Sequence, residues 1–172
     1  MTRGVPDSEP TVEQLSPDDW EALRSVRLAA LADAPYAFAS ALDQERGYDE
    51  RQWRSFLAAA TWFVTRRRGE IVGVVALLLE AGEEPERHLV SMWVARQLRG
   101  TGIARTLLDA ALSDAADGGT KIVSLWVADG NARARRFYER SGFSSTGRRQ
   151  PLPSAPELGE ELLALRLDAR PG

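Results

Sequence analysis

The glycine-rich segment at residues 99–104 has the clearest potential for chemistry in this sequence. It reads RGTGIA and lies between a predicted strand and a predicted helix. Glycines let the backbone approach a ligand closely, and the first N–H groups of a helix have no intrahelical acceptor and lie at the positive end of its dipole. Such a turn binds phosphate or pyrophosphate, and Arg99 would add a cation at its mouth. The same glycines also fit an ordinary strand-to-helix turn, and the segment matches neither the GxxxxGK[ST] nor the GxGxxG nucleotide-binding pattern.

The titratable residues restrict the remaining chemistry. The chain has no cysteine, which excludes a thiolate nucleophile, a disulfide scaffold, an iron–sulfur cluster and any cysteine-based zinc site. His88 is the only histidine, so a multi-histidine metal centre is excluded and we expect no metal site. Any mechanism that needs an imidazole base must use His88.

Composition indicates one globular domain. The 172 residues are 44% hydrophobic, and the net charge of −3 provides no global field for holding nucleic acid. The longest apolar run, residues 71–79, contains a glycine and is far shorter than the roughly 20 residues of a membrane span. The polar first ten residues lack the apolar segment of a secretory signal, so we expect a cytoplasmic protein that binds neither membrane nor nucleic acid.

The periodicity of apolar residues predicts a strand, two helices, three strands, a helix, a strand, a helix and two final strands. Residues 88–127 form a predicted strand–helix–strand unit whose two strands are parallel, while the rest of the sheet is antiparallel. We therefore predict a mixed α/β domain over residues 11–170, preceded by a flexible leader at residues 1–10. Asn131 is the predicted N-cap of the last helix.

Two separate blocks resemble one known family. Residues 94–108, VARQLRGTGIARTLL, resemble the acetyl-CoA signature of the GCN5-related N-acetyltransferases (the GNAT family), whose [R/Q]xxGx[G/A] core is here Arg99, Gly102 and Ala104. Residues 125–127, Asn131 and residues 137–143, FYERSGF, resemble the second conserved block. The order of elements over residues 11–168 also matches. The resemblance implies the GNAT fold, in which helices flank both faces of a mostly antiparallel sheet, with acetyl-CoA as the co-substrate.

The resemblance also implies a role for each matching residue. Tyr138 should point at the sulfur of acetyl-CoA, and Asn131 should hold the arm of the cofactor as well as cap its helix. The backbone of the fourth strand should pair with the pantetheine arm, and the glycine-rich loop should cradle the pyrophosphate. The expected cofactor-binding residues are Met92, Trp93, Val94, Arg99, Gly100, Thr101, Gly102, Ile103, Ala104, Asn131 and Tyr138.

The implied reaction is the direct attack of a neutral primary amine, on a small molecule or a peptide N-terminus, on the acetyl thioester. Tyr138 is the expected proton donor to the leaving sulfur, although the same residue also fits a half-buried aromatic. Some relatives place a glutamate base on the fifth strand, where this chain has Trp126. His88, Glu86 and Asp129 are the candidate bases, and His88 is preferred because imidazole titrates near neutrality.

The sequence leaves alternatives open. Because the usual glutamate is missing, the chain also fits a CoA-binding module without turnover or, as a weaker option, a nucleotide-binding regulator that uses the same loop. One arginine among Arg133, Arg135 and Arg136 is a candidate for the 3′-phosphate of CoA. Tyr36 and Phe38 are candidates for covering the acceptor. Related folds often pair through sheet edges, which is compatible with a homodimer.

Overall fold

A seven-stranded sheet forms the centre of the structure, a computed structural model that describes residues 9–35, 41–80 and 85–167. The spatial order of the strands is β1-β2-β3-β4-β5-β7-β6. All neighbouring pairs are antiparallel except β4 and β5, which are parallel. The strands are β1 Thr11–Gln14, β2 Ala60–Arg67, β3 Glu70–Glu80, β4 Glu86–Val94, β5 Ile122–Ala128, β6 Ser144–Leu152 and β7 Ala155–Arg166. The helices are α1 Trp20–Asp33, α2 Leu42–Arg46, α3 Glu50–Ala58, α4 Ile103–Asp117 and α5 Ala132–Arg140, with a short 3-10 helix at Arg96–Leu98.

Helices cover both faces of this sheet, which confirms the predicted fold class. The apolar stripe of α4 packs on one face together with alternate residues of β3, β5 and β7, and α5 contributes Tyr138 to the same core. Helices α1 and α3 cover the other face, where Leu23 and Trp53 pack against Trp62 of β2 and Val74 of β3. Strand alternation explains this division, because successive side chains point to opposite faces of a sheet.

Strands β4 and β5 separate after a short paired stretch. Only three residue pairs join them, from Glu86 with Ile122 to His88 with Ser124, although both strands continue beyond this point. Strand β4 also carries a bulge against β3, at which Ser91 adopts a left-handed backbone with φ of 59°. A bulge bends its strand and increases the local twist. The result is a V-shaped opening in the middle of the sheet.

Several predicted boundaries differ from the structure. The sequence pattern places the N-cap of the first helix at Ser16, but the Asp19 carboxylate accepts hydrogen bonds from the N–H and Oγ of Ser16, both at 2.6 Å, and the helix begins at Trp20. The predicted proline-rich loop before the last strand is instead a hairpin of β6 and β7 with a turn at residues 153–154. Helix α2 was not predicted.

Some predictions fall outside the described residues. Most of the predicted leader, at residues 1–8, lies outside them, as do the end of the predicted domain and both Tyr36 and Phe38. Within the described ranges, no helix is long and apolar enough to span a membrane.

Candidate active site

A cavity of about 1550 Å³ occupies the opening between β4 and β5 and reaches both faces of the sheet. On the face of α4 and α5 it is bounded by the glycine-rich loop and by Tyr138. On the face of α1 and α3 its lining includes Phe56 and the half-buried ring of Trp126. Two molecules can therefore enter from opposite faces and meet where the strands diverge.

The glycine-rich loop leads directly into α4. Gly100 and Gly102 have φ of 81° and 92°, a left-handed conformation that favours glycine, and apart from adjacent backbone no atom of the described residues lies within 4 Å of the position of a Cβ on either residue. Gly102 is the N-cap and has no side chain with which to satisfy the first N–H groups of the helix. These amides and the open space beside them fit a pyrophosphate.

Two predicted residues of this loop support its fold through their side chains. The hydroxyl of Thr101 donates a hydrogen bond to the carbonyl of Leu98. The side chain of Ile103 is buried in the core beneath α4. The other predicted cofactor-binding residues line the cavity: Met92, Trp93, Val94, Arg99, Gly100, Gly102, Ala104, Asn131 and Tyr138.

Arg99 is held by the protein itself. Its Nε donates to the carbonyl of Val94 at 3.0 Å, and its Nη2 forms an ion pair with Asp33 at the end of α1. Trp93 Nε1 also donates to Asp33 at 3.0 Å, and Arg96 lies 3.4 Å from the same carboxylate. The indole hydrogen bond and, next, the Arg99 guanidinium hold the pKa of Asp33 below its usual value. The expected cation at the mouth of the loop is thus already paired with a carboxylate.

Arginines of α5 lie on the side of the cavity that the glycine-rich loop also bounds. Arg133 and Arg136 are exposed and line it, whereas Arg135 is engaged with Glu161 and Glu139. Among the described residues, neither Arg133 nor Arg136 forms an ion pair with a carboxylate. Of the three predicted candidates for the 3′-phosphate, these two line the cavity and Arg135 does not.

Helix α5 positions two of the predicted residues. Asn131 caps the helix as predicted, since its side chain accepts a hydrogen bond from the N–H of Ala134 at 3.2 Å. Tyr138 lies on the inner face of the helix, is 7% exposed and packs edge-on against Phe137 and Phe143. Burial raises the pKa of Tyr138 well above the ordinary tyrosine value. Its hydroxyl is therefore neutral and able to donate at any physiological pH.

His88 belongs to a hydrogen-bonded chain that crosses from β4 to β5. The hydroxyl of Ser124 donates to Oε1 of Glu86 at 2.6 Å, and Nδ1 of His88 lies 2.9 Å from the same hydroxyl oxygen. Because Ser124 has one proton and gives it to Glu86, its oxygen accepts from Nδ1–H of His88. This network selects the tautomer in which Nε2 is the basic nitrogen. Two of the three candidate bases, Glu86 and His88, are thereby joined.

The third candidate base is engaged elsewhere. Asp129 follows β5 at the rim of the cavity, and its carboxylate forms an ion pair with Arg149 of β6. Within the described part of the chain, no group of three or more His, Asp or Glu side chains is arranged to hold a metal ion.

Sequence reasoning missed three residues that contribute to the cavity or its supports. Asp33 links α1 to β4, and Ser124 connects His88 to Glu86. Glu160 of β7 is a carboxylate that lines the cavity although it is only 6% exposed. No motif carries these residues. The available signals were a polar residue inside the apolar run of β5, at Ser124, and an acidic pair at residues 160–161, where the last predicted strand begins.

The sequence and fold together identify the family. Residues 24–143 match the model of the acetyltransferase (GNAT) family, which is well over half of the chain. The chain therefore belongs to the GNAT family of acetyltransferases, as its two sequence blocks predicted.

Individual relatives agree with this assignment. The peptidyl-lysine N-acetyltransferase YjaB of Escherichia coli is 33% identical over 117 residues, which cover 67% of this chain and 70% of that protein. An uncharacterized N-acetyltransferase of Mycobacterium tuberculosis is 37% identical over 84 residues, or 49% of this chain, and the match spans about half (53%) of that protein's length. The structure of yncA from Salmonella typhimurium, solved with acetyl-CoA, has a TM-score of 0.75 at 19% identity, and the match covers 96% of this chain and 98% of that one. At that identity the structural match shows the shared fold.

Proposed function

We propose that this protein is an acetyl-CoA-dependent N-acetyltransferase that transfers acetyl directly to a primary amine of a small molecule or a peptide N-terminus. The observation that carries the proposal is the cavity at the divergence of β4 and β5, which has an amide-lined loop on one face and is lined by His88 and Trp126 on the other. The cytoplasm is the expected compartment.

The cofactor-binding roles rest on the geometry of the loop and of β4. The amides at residues 100–104 bind the pyrophosphate, and the unpaired edge of β4 at Met92, Trp93 and Val94 offers backbone groups to the pantetheine arm. Asn131 holds the arm from the start of α5. Arg99 positions the loop through Val94 and Asp33, while Arg133 and Arg136 provide cations toward the 3′-phosphate.

The catalytic roles fall to two residues. Acetyl-CoA supplies an activated acetyl thioester. His88 accepts the proton of the attacking amine at Nε2, with Ser124 and Glu86 stabilising the resulting imidazolium. A backbone N–H near Trp93 or Val94 stabilises the developing oxyanion. Tyr138 donates a hydrogen bond to the departing sulfur.

Trp126 favours one alternative, a CoA-binding module of the same fold without turnover, because it occupies the position at which some relatives carry a glutamate base. Release of CoA from acetyl-CoA, measured against a panel of primary amines, separates the two functions. We expect CoA release that depends on the amine. Binding of CoA without turnover of any amine would indicate the binding module. Competition by ATP but not by CoA would indicate a nucleotide-binding regulator.

A further inference from the structure

Glu160 is a buried carboxylate that the proposed mechanism does not use. It lies on β7 directly opposite Ala128 of β5, and strand register places its side chain on the same face as Trp126, Ser124 and His88. This is the face of α1 and α3, from which the amine acceptor would enter. The residue is 6% exposed and lines the cavity.

The charge of Glu160 is not neutralised by its neighbours. Its Oε1 accepts a hydrogen bond from Nε2 of Gln150 at 2.6 Å, and an amide carries no charge. The nearby arginines are committed to other carboxylates, since Arg135 pairs with Glu161 and Arg149 pairs with Asp129 and Glu161. Among the residues that the structure describes, no Lys, Arg or His lies within ion-pair distance of Glu160.

Burial of the Glu160 carboxylate without a cationic partner is unfavourable unless a bound ligand supplies the positive charge. A buried carboxylate without a cationic partner opposes folding, and the same low-dielectric surroundings strengthen its attraction for a positive charge. Polar groups that destabilise a fold are typical of binding sites. Glu160 therefore has the properties of a counter-ion for part of a ligand.

The position of Glu160 separates it from the reacting centre. It lies two residues, or about 7 Å, along the strand direction from Trp126 and four residues, or about 13 Å, from Ser124, the partner of His88. An amine held at His88 therefore cannot also contact Glu160. A second group of the same acceptor can reach it along the cavity.

We propose that Glu160 binds a second cationic group of the acceptor, so that the enzyme selects amines that carry a further positive charge. The inference rests on the proposed function, because it concerns the acceptor side of the same cavity. Diamines and peptides with a basic residue close to the N-terminus have the required chemistry, whereas monoamines and acceptors bearing a carboxylate lack it.

The test compares α,ω-diamines of five to eight carbons with the monoamines of the same length. We expect the wild-type protein to favour diamines by about tenfold or more in kcat/KM, since a desolvated ion pair discriminates strongly between charged and uncharged groups. Glu160→Gln keeps the size of the side chain and should remove the preference while acetylation of monoamines continues. Glu160→Asp, which keeps the charge, should retain part of it.

Glu157→Gln is the matched control, because Glu157 is an exposed carboxylate on the same strand and does not line the cavity. It should preserve the preference in full. A wild-type protein without preference for diamines, or a preference that survives Glu160→Gln, would overturn the inference.

A binding measurement keeps this inference distinct from the proposed function. Calorimetric titration of CoA-saturated protein with an α,ω-diamine needs no turnover, and Glu160→Gln should weaken the binding about tenfold. Equal affinities in the two proteins would contradict the role of Glu160 even if acetyl transfer is efficient. If the wild-type protein transferred acetyl to no amine, that result would contradict only the proposed function.

Discussion

Tyr138 combines burial with a position beside the cavity, and together these properties define what it can contribute. Its pKa is raised because the surrounding apolar groups disfavour the phenolate. Complete transfer of its proton to a thiolate is therefore less favourable than an ordinary tyrosine pKa implies. A hydrogen bond to the sulfur, strengthened as negative charge develops there, fits the raised pKa better.

Tyr138→Phe should consequently lower kcat while leaving the fold intact. The substitution removes only the hydroxyl, and no described residue accepts a hydrogen bond from it. We expect a fall in kcat of about a hundredfold, within the range for losing one hydrogen-bond donor to a developing negative charge, and little change in the KM for acetyl-CoA. Tyr48→Phe is the matched control, because Tyr48 accepts a hydrogen bond from Gln44 away from the cavity. Equal kcat values in the two variants would rule out the role.

The hydrogen bonds that link His88 to Glu86 through Ser124 lead to a separate prediction for His88. We expect His88→Gln to lower kcat/KM by about a hundredfold and to abolish any limb of the pH–rate profile between about pH 5 and 8, where imidazoles titrate. Ser124→Ala should reduce kcat/KM less and shift that limb, since it removes the link to Glu86 and leaves the imidazole in place. A profile that is unchanged in His88→Gln would assign the base to another group.

At the scale of elements, the carboxylate of Asp33 joins three segments. It receives the indole N–H of Trp93 and the guanidiniums of Arg99 and Arg96, so the end of α1 is tied to β4 and to the start of the glycine-rich loop. Helix α1 and the glycine-rich loop therefore share one anchor. A change at this anchor should affect both stability and cofactor binding.

Asp33→Asn should destabilise the protein by about 1 kcal/mol at pH 7 and weaken acetyl-CoA binding. The folded-state pKa of Asp33 is depressed, so its contribution is present above the unfolded value of about 3.9 and is lost as the pH falls through the folded value. Denaturant unfolding should thus separate the variant from the wild type at pH 7, and the gap should close as the pH is lowered below the unfolded value. Asp43→Asn removes only an exposed ion pair with Arg46, of a kind that contributes little, and should stay close to the wild type throughout. A pH-independent gap would exclude the ion pair as its cause.

Local features were predictable because their causes are local. The cap at Asn131 needs only the amide three residues later, and the strand–helix–strand unit around α4 follows from periodicity and glycine placement. The β6–β7 hairpin was missed because prolines at 151, 153 and 156 suggest a loop. Strand β6 lies at the edge of the sheet and has no neighbouring strand on its outer side. A proline there, which lacks a backbone N–H, costs no inter-strand hydrogen bond on that side.

Contacts between distant segments could not be predicted in this way. Asp33 and Arg99 are 66 residues apart, and Glu86 meets Ser124 through the pairing of β4 with β5. The resemblance predicts which residues face the cofactor, but it carries no signal that Asp33, a partner outside the motif, neutralises Arg99. The left-handed bulge at Ser91, which widens the opening, also has no glycine to signal it.

For the whole molecule, the two-sided cavity predicts the kinetic order of the reaction. In the proposed function, cofactor and amine enter from opposite faces, and the chain has no cysteine that could carry an acetyl group between them. Initial rates measured at several concentrations of both substrates should therefore give intersecting double-reciprocal lines, as expected for a ternary complex. Parallel lines would indicate an acetylated intermediate and would contradict direct transfer.

Binding of coenzyme A at the start of α4 is the claim on which the other roles depend. Calorimetric titration of coenzyme A into wild type, Gly102→Ala and Gly119→Ala tests it most directly. Both glycines have positive φ and open space around the missing Cβ, so an alanine should introduce similar backbone strain at either position. Of the two, only Gly102 lines the cavity. We expect binding in the wild type and in Gly119→Ala, and an affinity at least about tenfold lower, or about 1.4 kcal/mol, in Gly102→Ala. Absence of binding in the wild type, or equal affinities in all three proteins, would contradict the account.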